Sequence, residues 1–292
     1  MLVEAFLFGT MAISNIETVN YYGLREQVRQ YIERCHLDDG GYFFAHMTPS
    51  SAMDTYYAVK TLSMLDLRDD RPEETKRFFQ LFLRRDSFFS VNGLFSAAEV
   101  LHVLGGNITP LHKYLPKLRL LRNDLGGFGV VKNLDIEVVS VLESTYRVLT
   151  ILDRLGIGCD KKQIIEFALK FNNADGGFGS GHISTLASTF YATEILRFVG
   201  YTSTESTATK KYLRSRENIW QLNFIEDMYW LSGSLSNLNE KTQLCDWIVR
   251  FVTACQRTNG GFARKDVMGI PTLEYTYYAV SILKTLEPTW LK

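Results

Sequence analysis

The hydrophobic positions of this chain fall into two kinds of run. In residues 164–171 and 247–252, apolar side chains recur at intervals of three and four, which is the spacing of one helix face. Other runs, such as residues 276–283, are apolar on nearly every side. An amphipathic helix buries one face, whereas a helix that is apolar all round is buried on most of its faces. The pattern therefore predicts outer, half-buried helices alternating with inner, fully buried ones.

A repeated two-part motif separates these runs. A glycine pair followed by an aromatic residue occurs four times, and a block containing threonine and aromatic residues follows each pair. The pairs are Gly40-Gly41, Gly126-Gly127, Gly176-Gly177 and Gly260-Gly261, and the blocks begin at Asp54, Ser144, Ser188 and Tyr275. We expect the glycines to end the outer helices, because a C-cap needs a residue that tolerates positive φ.

The spacing of the glycine pairs predicts two further, degenerate copies. The gaps are about 86, 50 and 84 residues, so two of them are roughly twice the third. One copy is assigned to Asn92-Gly93-Leu94-Phe95 followed by residues 97–100. The other is assigned to Asn218-Ile219-Trp220 followed by residues 227–230. Six units of about 44 residues then account for almost the whole chain.

Six outer and six inner helices in alternation predict an all-α fold, the (α/α)6 toroid. A single helix pair cannot bury its inner helix, so closure of the ring has to supply the core. We expect one domain over residues 1–292, with the repeats at about 20–288. Residues 1–18 are expected to form an N-terminal helix packed on the body.

Composition and charge restrict the partners and the compartment. The chain has 32 Lys and Arg against 32 Asp and Glu, so it lacks the cation excess that nucleic-acid binding requires. The four cysteines are far apart and form no disulfide or metal pattern, which favours a cytoplasmic protein. No apolar segment is long enough to predict a membrane span.

Gly-Gly-Phe followed by an inner helix with Thr-Tyr-Tyr-Ala resembles the repeat of the prenyltransferase β-subunit and squalene/terpene-cyclase superfamily. The resemblance covers about residues 20–288. It implies a central funnel, lined by aromatic side chains of the inner helices, that holds an isoprenoid chain. The candidate substrate-binding residues in the blocks are Tyr56, Phe190, Tyr229, Trp230 and Tyr277.

The resemblance does not extend to the zinc site of protein prenyltransferases. In that family an Asp and a Cys two residues apart, together with a His, bind zinc at the starts of the fifth and sixth inner helices. Aligned on the threonine of the repeat, these positions hold Glu226, Met228 and Tyr275. A thioether is a poor zinc ligand and tyrosine is an uncommon one, so we expect no zinc site.

The Asp-x-Asp-Asp-Thr motif of class II terpene cyclases, which protonates the substrate, is also incomplete. Three copies keep an acid in its proton-donor position, at Glu143, Glu226 and Glu274. Glu226 and Asp227 form the only adjacent acidic pair in that slot, so they are the leading candidates for acid/base residues. Each acid could instead have a purely structural role. A carboxylate at a helix N-terminus accepts hydrogen bonds from the free backbone amides and interacts favourably with the positive end of the helix dipole.

The acids are expected to lie at one rim of the toroid. Converging carboxylates there would raise one another's pKa or bind a cation. They would repel a diphosphate unless Mg²⁺ bridged the carboxylate and phosphate oxygens. Arg264 and Lys265, which follow the last glycine pair, are candidates for binding phosphate oxygens.

Three functional hypotheses remain open at this point. The first is an isoprenoid-handling protein, either a prenyltransferase-like transferase or a class II terpene cyclase-like enzyme, that lacks both standard catalytic signatures. The second is a noncatalytic toroid that acts as a binding or subunit-assembly module, because β-subunits of the family pair with a helical α-subunit. The third is a carbohydrate-active (α/α)6 enzyme that uses two rim glutamates.

Overall fold

The computed structural model describes residues 21–84, 90–129, 138–201 and 206–287, and its helices alternate between two concentric layers. The outer helices are α1 (Tyr21–Arg34), α3 (Pro72–Arg84), α5 (Leu115–Leu120), α7 (Lys161–Leu169), α9 (Ser206–Ser215) and α11 (Cys245–Ala254). The inner helices are α2 (Ala52–Met64), α4 (Val91–Val103), α6 (Val138–Arg154), α8 (Leu186–Phe198), α10 (Ile225–Asn237) and α12 (Leu273–Leu286). A 3₁₀ helix, Thr109–Tyr114, precedes α5, and strands β1 (Gly179–Ser180) and β2 (Ile183–Ser184) pair antiparallel before α8.

The inner helices form a closed ring. Each packs on the next in chain order, and α12 packs back on α2. Their burial fits this position: residues 93–101 of α4 are all buried, including the polar Ser96 and Glu99. The predicted all-α toroid, with an inner ring that supplies the core, is confirmed.

The glycine pairs have a different role from the predicted helix cap. Helix α11 ends at Ala254 with its C-cap residue Cys255 at φ −74°, so Gly260 comes after the helix rather than closing it. Gly260 lies in a tight turn at φ +88°, and Gly40, Gly126 and Gly176 repeat this left-handed conformation. Gly261 is needed for another reason, because a Cβ there would lie 2.6 Å from the ring of Tyr31 on the first outer helix. The turn thus lets successive repeats approach closely.

The threonine of each block fastens this turn to the inner helix. The hydroxyl oxygen of Thr276 accepts a hydrogen bond from the backbone N–H of Phe262 (3.1 Å) and donates one to the carbonyl of Thr272 (2.7 Å). The equivalent pairs are Tyr42 with Thr55, Phe128 with Thr145, and Phe178 with Thr189, at 2.9–3.0 Å. This bond explains why the two halves of the motif recur together.

The predicted second copy of the motif was placed wrongly. Asn92 and Gly93 lie in the first turn of α4, not in a loop before it. Only glycine fits at position 93, because a Cβ atom there would lie 2.4 Å from the Phe82 ring. The aromatic residue that matches Tyr56 is therefore Phe95, whose ring packs on Tyr56.

Two predictions from the sequence concern membranes and the N-terminus. Among the described helices, none combines the length and the apolar character needed to cross a membrane. The predicted N-terminal helix over residues 1–18 lies outside the described residues.

Candidate functional site

Aromatic rings from all six inner helices form a continuous band around the centre of the toroid. Tyr56 packs on Phe95 with ring centroids 4.9 Å apart and on Tyr277 at 5.8 Å. The other contacts are Phe95–Tyr146 (6.3 Å), Tyr146–Tyr191 (6.2 Å), Tyr191–Phe190 (5.3 Å), Phe190–Tyr229 (5.0 Å) and Tyr229–Tyr277 (5.9 Å). Centroid separations of 4.5–7 Å are those of favourable aromatic pairs. Four of the five predicted substrate-binding aromatics lie in this band.

The band is buried unevenly. Tyr146, Tyr191, Tyr229 and Tyr277 all keep partial solvent exposure, although the residues beside them that face the outer helices, such as Thr145 and Val148, are buried. The side chains of Tyr56 and Tyr229 lie within hydrogen-bonding reach of Tyr277, so phenol hydroxyls meet within the band. The fifth predicted aromatic, Trp230, is also partly exposed. Its indole N–H is buried without a hydrogen-bond partner among the described residues.

Glu143 belongs to a polar cluster near the N-terminal ends of the inner helices, beside the aromatic band. Its Oε1 atom accepts hydrogen bonds from Arg147 (2.7 Å) and from the hydroxyl of Tyr191 (2.5 Å). The Arg147 guanidinium also donates to Asn92 and lies over the Phe95 ring, 5.6 Å from its centroid. The Arg147 side chain is only 11% exposed, and it is held by Glu143 on its own helix and by Asn92 and Phe95 on α4.

Glu274 forms a second acid–tyrosine cluster, which joins the first repeat to the last. The hydroxyls of Tyr57 on α2 and Tyr278 on α12 both donate to its Oε1 atom, at 3.0 and 2.9 Å. Burial raises the pKa of both tyrosines well above the ordinary value, and the Glu274 carboxylate raises it further. Both hydroxyls therefore stay protonated and continue to donate.

Asp54 is an acid beside this cluster whose proton is held unusually firmly. Its side chain is 8% exposed, and burial together with the nearby Glu274 carboxylate raises its pKa to about 7. The backbone N–H of Phe44 opposes the shift by donating to the Asp54 carboxylate. Asp54 can therefore carry a proton near neutral pH, as a general acid must.

Glu226 and Asp227, the leading acid/base candidates, are adjacent in sequence but have different environments. Asp227 accepts hydrogen bonds from the backbone N–H groups of Asn223 and Phe224, both 3.1 Å, and so caps α10. Burial raises the pKa of Asp227, against the effect of these two bonds. Glu226 is 8% exposed and pairs through Oε1 with Arg264 at 2.5–2.6 Å. Its buried Oε2 has no hydrogen-bond partner among the described residues.

The two predicted phosphate-binding residues lie on one aromatic ring. Arg264 stacks over Phe224 at 3.9 Å while it binds Glu226, and the Lys265 ammonium lies 6.0 Å from the same ring. The Arg264 side chain is 47% exposed, so part of the guanidinium still faces solvent.

The residues in the family's zinc positions do not fit a zinc ion. Met228 is fully buried in the core, and the Glu226 carboxylate already forms an ion pair with Arg264. Tyr275 has a pKa raised by burial and by Glu226, which opposes the deprotonation a metal ligand needs. Within the described ranges no group of three His, Cys, Asp or Glu side chains is placed to hold a metal ion.

The most important residue that the sequence reasoning missed is Arg147. It occupies the position held by Tyr57, Tyr191 and Tyr278 in three other inner helices. A cation in a slot that is aromatic in four of the other five inner helices was the signal that could have identified it. The hydrogen bonds of Tyr191 to Glu143 and of Tyr57 to Glu274 could not be found in the same way, because they join residues that are 48 and 217 positions apart.

Comparison with known proteins agrees with this architecture. The family model of the prenyltransferase alpha-alpha toroid domain matches residues 5–105, 139–224 and 219–292. The chain belongs to this family. No curated protein shows significant sequence similarity to it.

Solved structures share the fold at low sequence identity. Protein geranylgeranyltransferase-I of Candida albicans, in complex with GGPP, has a TM-score of 0.66 and 18% identity, over 90% of this chain and 91% of its own. A variant of the type II terpene cyclase MstE from Scytonema, with bound geranylgeranyl dihydroxybenzoate, has a TM-score of 0.63 and 10% identity, over 92% and 98%. Apo MstE gives 0.60 and 9%, over 91% and 97%. The predicted superfamily is thus confirmed, and both branches share the fold.

Proposed function

We propose that this protein binds an isoprenoid, as a prenyl diphosphate or a polyprene, in the central cavity. The observation that carries the proposal is the aromatic band: all six inner helices contribute rings to it, and a hydrocarbon chain held at the centre of the toroid would pack on these rings. Burial of each CH₂ group is worth about 0.8 kcal/mol. Membership of the prenyltransferase toroid family and similarity to a GGPP complex and a geranylgeranyl dihydroxybenzoate complex support the same class of ligand.

The mouth of the cavity is where the polar end of the substrate would lie. Arg147 offers a guanidinium fixed by Glu143 and Asn92, suited to phosphate oxygens. Glu143 and Glu274 border the same opening, and a diphosphate would bring Mg²⁺ to offset their negative charge. Arg264 and Lys265 would assist from the side of Glu226.

The reaction class we propose is prenyl transfer or proton-initiated cyclisation, with mouth carboxylates as acid/base groups. Glu226 has the primary role because its Oε2 atom is buried and not hydrogen-bonded, and Asp227 orients the turn that carries it. Glu143 and Glu274 have secondary roles, each held by tyrosine hydroxyls. A carboxylic acid in this setting can give a proton to an alkene, and a carboxylate can remove one from a carbocation.

Calorimetric titration with geranyl diphosphate in Mg²⁺ buffer tests the binding part of this proposal. We expect saturable binding with one site per chain. The variant Tyr277→Ala removes a ring from the middle of the band and should weaken binding at least ten-fold. Tyr114→Ala is the control, because Tyr114 is a buried tyrosine in the outer layer that hydrogen-bonds Leu83. Equal loss of binding in both variants would contradict a central site.

Product analysis after incubation with prenyl diphosphates and polyprenes tests the catalytic part. Glu226→Gln should abolish turnover while the melting temperature stays nearly constant, since glutamine can still accept a hydrogen bond from Arg264. The matched control is Glu240→Gln, which alters an ion pair with Lys210 on the outer layer. Normal turnover by a folded Glu226→Gln protein would rule out the acid/base role. Loss of folding would instead identify Glu226 as a structural residue.

A noncatalytic subunit-assembly role is the second candidate function, and one observation favours it. Large apolar side chains are exposed on the loops that lead into four inner helices. They are Met47, Ile183, Ile219, Trp220, Val267, Met268 and Ile270, exposed by 41–83%. Such a patch marks a surface that another molecule covers, and a helical subunit is the partner we propose. Turnover by the isolated chain would show that no partner is needed, whereas turnover only after addition of a helical subunit would support this role.

A further inference from the structure

A cavity of about 140 Å³ lies in the outer part of the first repeat, between the end of α1 and the loop that joins α2 to α3. Glu33 contributes to its wall from α1, and His36 follows that helix directly. Tyr42, beside the first glycine pair, and Asp69, in the loop, complete its polar wall. The residues assigned above to isoprenoid binding do not line this cavity, so it is a separate feature of the molecule.

Asp69 presents an unpaired carboxylate oxygen to this cavity. The residue is 6% exposed, and its Oδ1 atom accepts hydrogen bonds from the hydroxyl of Tyr42 and the backbone N–H of Arg71, both at 2.9 Å. Its Oδ2 atom is buried and has no hydrogen-bond partner among the described residues. A buried carboxylate oxygen without a donor is costly, so a ligand that supplies an N–H group is favoured here.

His36 presents an unpaired hydrogen-bond donor to the same cavity. Its ring packs edge-on against Tyr42, with centroids 4.8 Å apart, and its Nδ1 atom lies 3.3 Å from the Arg71 guanidinium. A guanidinium only donates, so Nδ1 accepts and the neutral ring carries its proton on Nε2. Burial lowers the pKa of His36, and the charge of Arg71 lowers it further, which keeps the ring neutral at pH 7. Nε2 is buried without a partner in the described part of the chain.

Glu33 adds a second acceptor to the cavity. Its buried Oε1 atom lies 2.9 Å from the Arg29 guanidinium, but without the geometry of a hydrogen bond. Burial raises the pKa of Glu33, a hydrogen bond with the Asp70 carboxyl group raises it further, and Arg29 opposes both effects. Two carboxyl groups in contact resist simultaneous ionisation, and a nearby cation relieves their repulsion. The acidic side of the cavity therefore favours a cationic hydrogen-bond donor.

A second cavity, of about 510 Å³, adjoins the first. The two share Leu62, Arg68 and Asp69 in their walls. The larger cavity adds apolar side chains, such as Leu67 and Val103. A ligand with a polar head in the smaller cavity and an aliphatic group in the larger one would contact both walls.

The ligand must combine a cationic donor with an acceptor in a small volume. Since 140 Å³ is the share of about five water molecules at about 30 Å³ each, only a compact polar head fits. A metal ion does not match, because the described His, Cys, Asp and Glu side chains form no group of three that could hold one. An ammonium group supplies three N–H donors, and a neighbouring carboxylate or carbonyl oxygen supplies the acceptor.

We propose that the paired cavities bind the head of an α-amino acid with an aliphatic side chain, either free or at the N-terminus of a peptide. The ammonium group donates to Asp69 Oδ2 and Glu33 Oε1, and the carboxylate or carbonyl oxygen accepts from His36 Nε2. The aliphatic side chain lies against Leu67 and Val103 in the larger cavity. This site is independent of the proposed isoprenoid function, and either can fail without the other.

Calorimetric titration of the full chain with L-leucine and N-acetyl-L-leucine tests the inference. We expect L-leucine to bind at one site per chain, and the acetylated compound, which lacks the ammonium group, to bind at least ten-fold more weakly. Titration with L-leucyl-glycine identifies the source of the ligand: tighter binding than that of leucine supports a peptide N-terminus, and weaker binding supports the free amino acid. Equal binding of N-acetyl-L-leucine would overturn the proposal, as would no binding of either leucine or the dipeptide.

Asp69→Asn tests the assigned ammonium contact. It should weaken L-leucine binding at least ten-fold, because an amide N–H replaces the unpaired carboxylate oxygen while the amide oxygen still accepts from Tyr42. Asp175→Asn is the matched control, since Asp175 accepts from the Gly177 N–H and the Ser184 hydroxyl in the glycine turn of another repeat. Wild-type affinity in a folded Asp69→Asn protein would overturn the proposal. If that variant does not fold, the comparison of leucine with N-acetyl-L-leucine decides.

His36→Phe tests the assigned donor while it keeps an aromatic ring against Tyr42. The variant should weaken L-leucine binding at least five-fold and leave the binding of 3-methylbutylamine unchanged, because that amine has the same aliphatic group but no carboxylate. An equal loss for both compounds would overturn the donor role of His36.

Discussion

The hydroxyl of Tyr57 on the first inner helix donates a hydrogen bond to the carboxylate of Glu274 on the last, at 3.0 Å. This contact joins the two ends of the ring, 217 residues apart in sequence, at the mouth of the cavity. Ring closure and the candidate site therefore depend on the same pair of residues.

Tyr57→Phe is expected to lower the free energy of unfolding by about 1.5–3 kcal/mol, because one hydrogen bond to a charged acceptor is lost while the ring remains. Urea denaturation measures this change. Tyr31→Phe is a suitable control, since Tyr31 is 3% exposed and its hydroxyl has no hydrogen-bond partner among the described residues. Equal destabilisation by both variants would show that the Glu274 contact contributes nothing to stability.

Asp54→Asn is expected to raise the melting temperature at both pH 5 and pH 8, and to raise it more at pH 8. The pKa of Asp54 is raised from 3.8 to about 7 on folding, so the native state binds more protons than the unfolded chain between these values. Stability therefore falls as the pH rises through that window. Asparagine cannot ionise, but its side-chain oxygen can still accept the hydrogen bond from the Phe44 N–H.

Thermal unfolding at the two pH values measures the effect of Asp54→Asn. Glu274→Gln should act in the same direction, because removal of the neighbouring charge lowers the pKa of Asp54. A stabilisation by Asp54→Asn that is equal at pH 5 and pH 8 would contradict the assigned protonation.

Thr276→Val is expected to destabilise the fold by about 1–3 kcal/mol, since it leaves the buried N–H of Phe262 without a partner. Thr276→Ser should restore most of the loss because it keeps the hydroxyl. Thr285→Val is the control: Thr285 only bonds back to the carbonyl of Ser281 within its own helix. Chemical denaturation of the three variants measures the differences, and similar values for Thr276→Val and Thr285→Val would refute the fastening role of the repeat threonine.

Arg147→Gln should weaken the binding of geranyl diphosphate and leave that of geraniol unchanged, because the guanidinium is proposed to meet only the charged end of the ligand. Titration of both ligands into both proteins measures this. Arg214→Gln removes a guanidinium from the outer layer and serves as the control. A matching loss of affinity for geraniol would mean that Arg147 shapes the cavity instead of binding phosphate.

The repeat was sufficient to predict the toroid, because local turn and packing requirements recur in every copy of the motif. Gly260 and Thr276 show this: a glycine at positive φ and a threonine acceptor occur together in the four repeats that carry a glycine pair. The error at Asn92-Gly93 has a related cause, since a helical glycine required by the Phe82 ring looks like a turn glycine in sequence.

The site was predicted less completely than the fold. That the acids converge at one rim stays a prediction: Glu143, Glu226 and Glu274 occupy equivalent positions on three inner helices but bind different partners. Their partners come from distant repeats. No local sequence pattern therefore indicated that Arg264 would form an ion pair with Glu226, or that Tyr57 would donate a hydrogen bond to Glu274. The ion pair of Lys60 with Glu99 was also missed, because the two residues lie 39 positions apart on different inner helices.

The central claim is that an isoprenoid chain lies inside the ring of inner helices, and filling the cavity tests it most directly. Ser281 faces the centre one turn below Tyr277, so Ser281→Trp should plug the cavity, whereas Ser63→Trp adds the same side chain at an exposed position of α2. Calorimetric titration with geranyl diphosphate should give wild-type affinity for Ser63→Trp and at least a ten-fold loss for a folded Ser281→Trp protein. Wild-type affinity in both variants would contradict the central site.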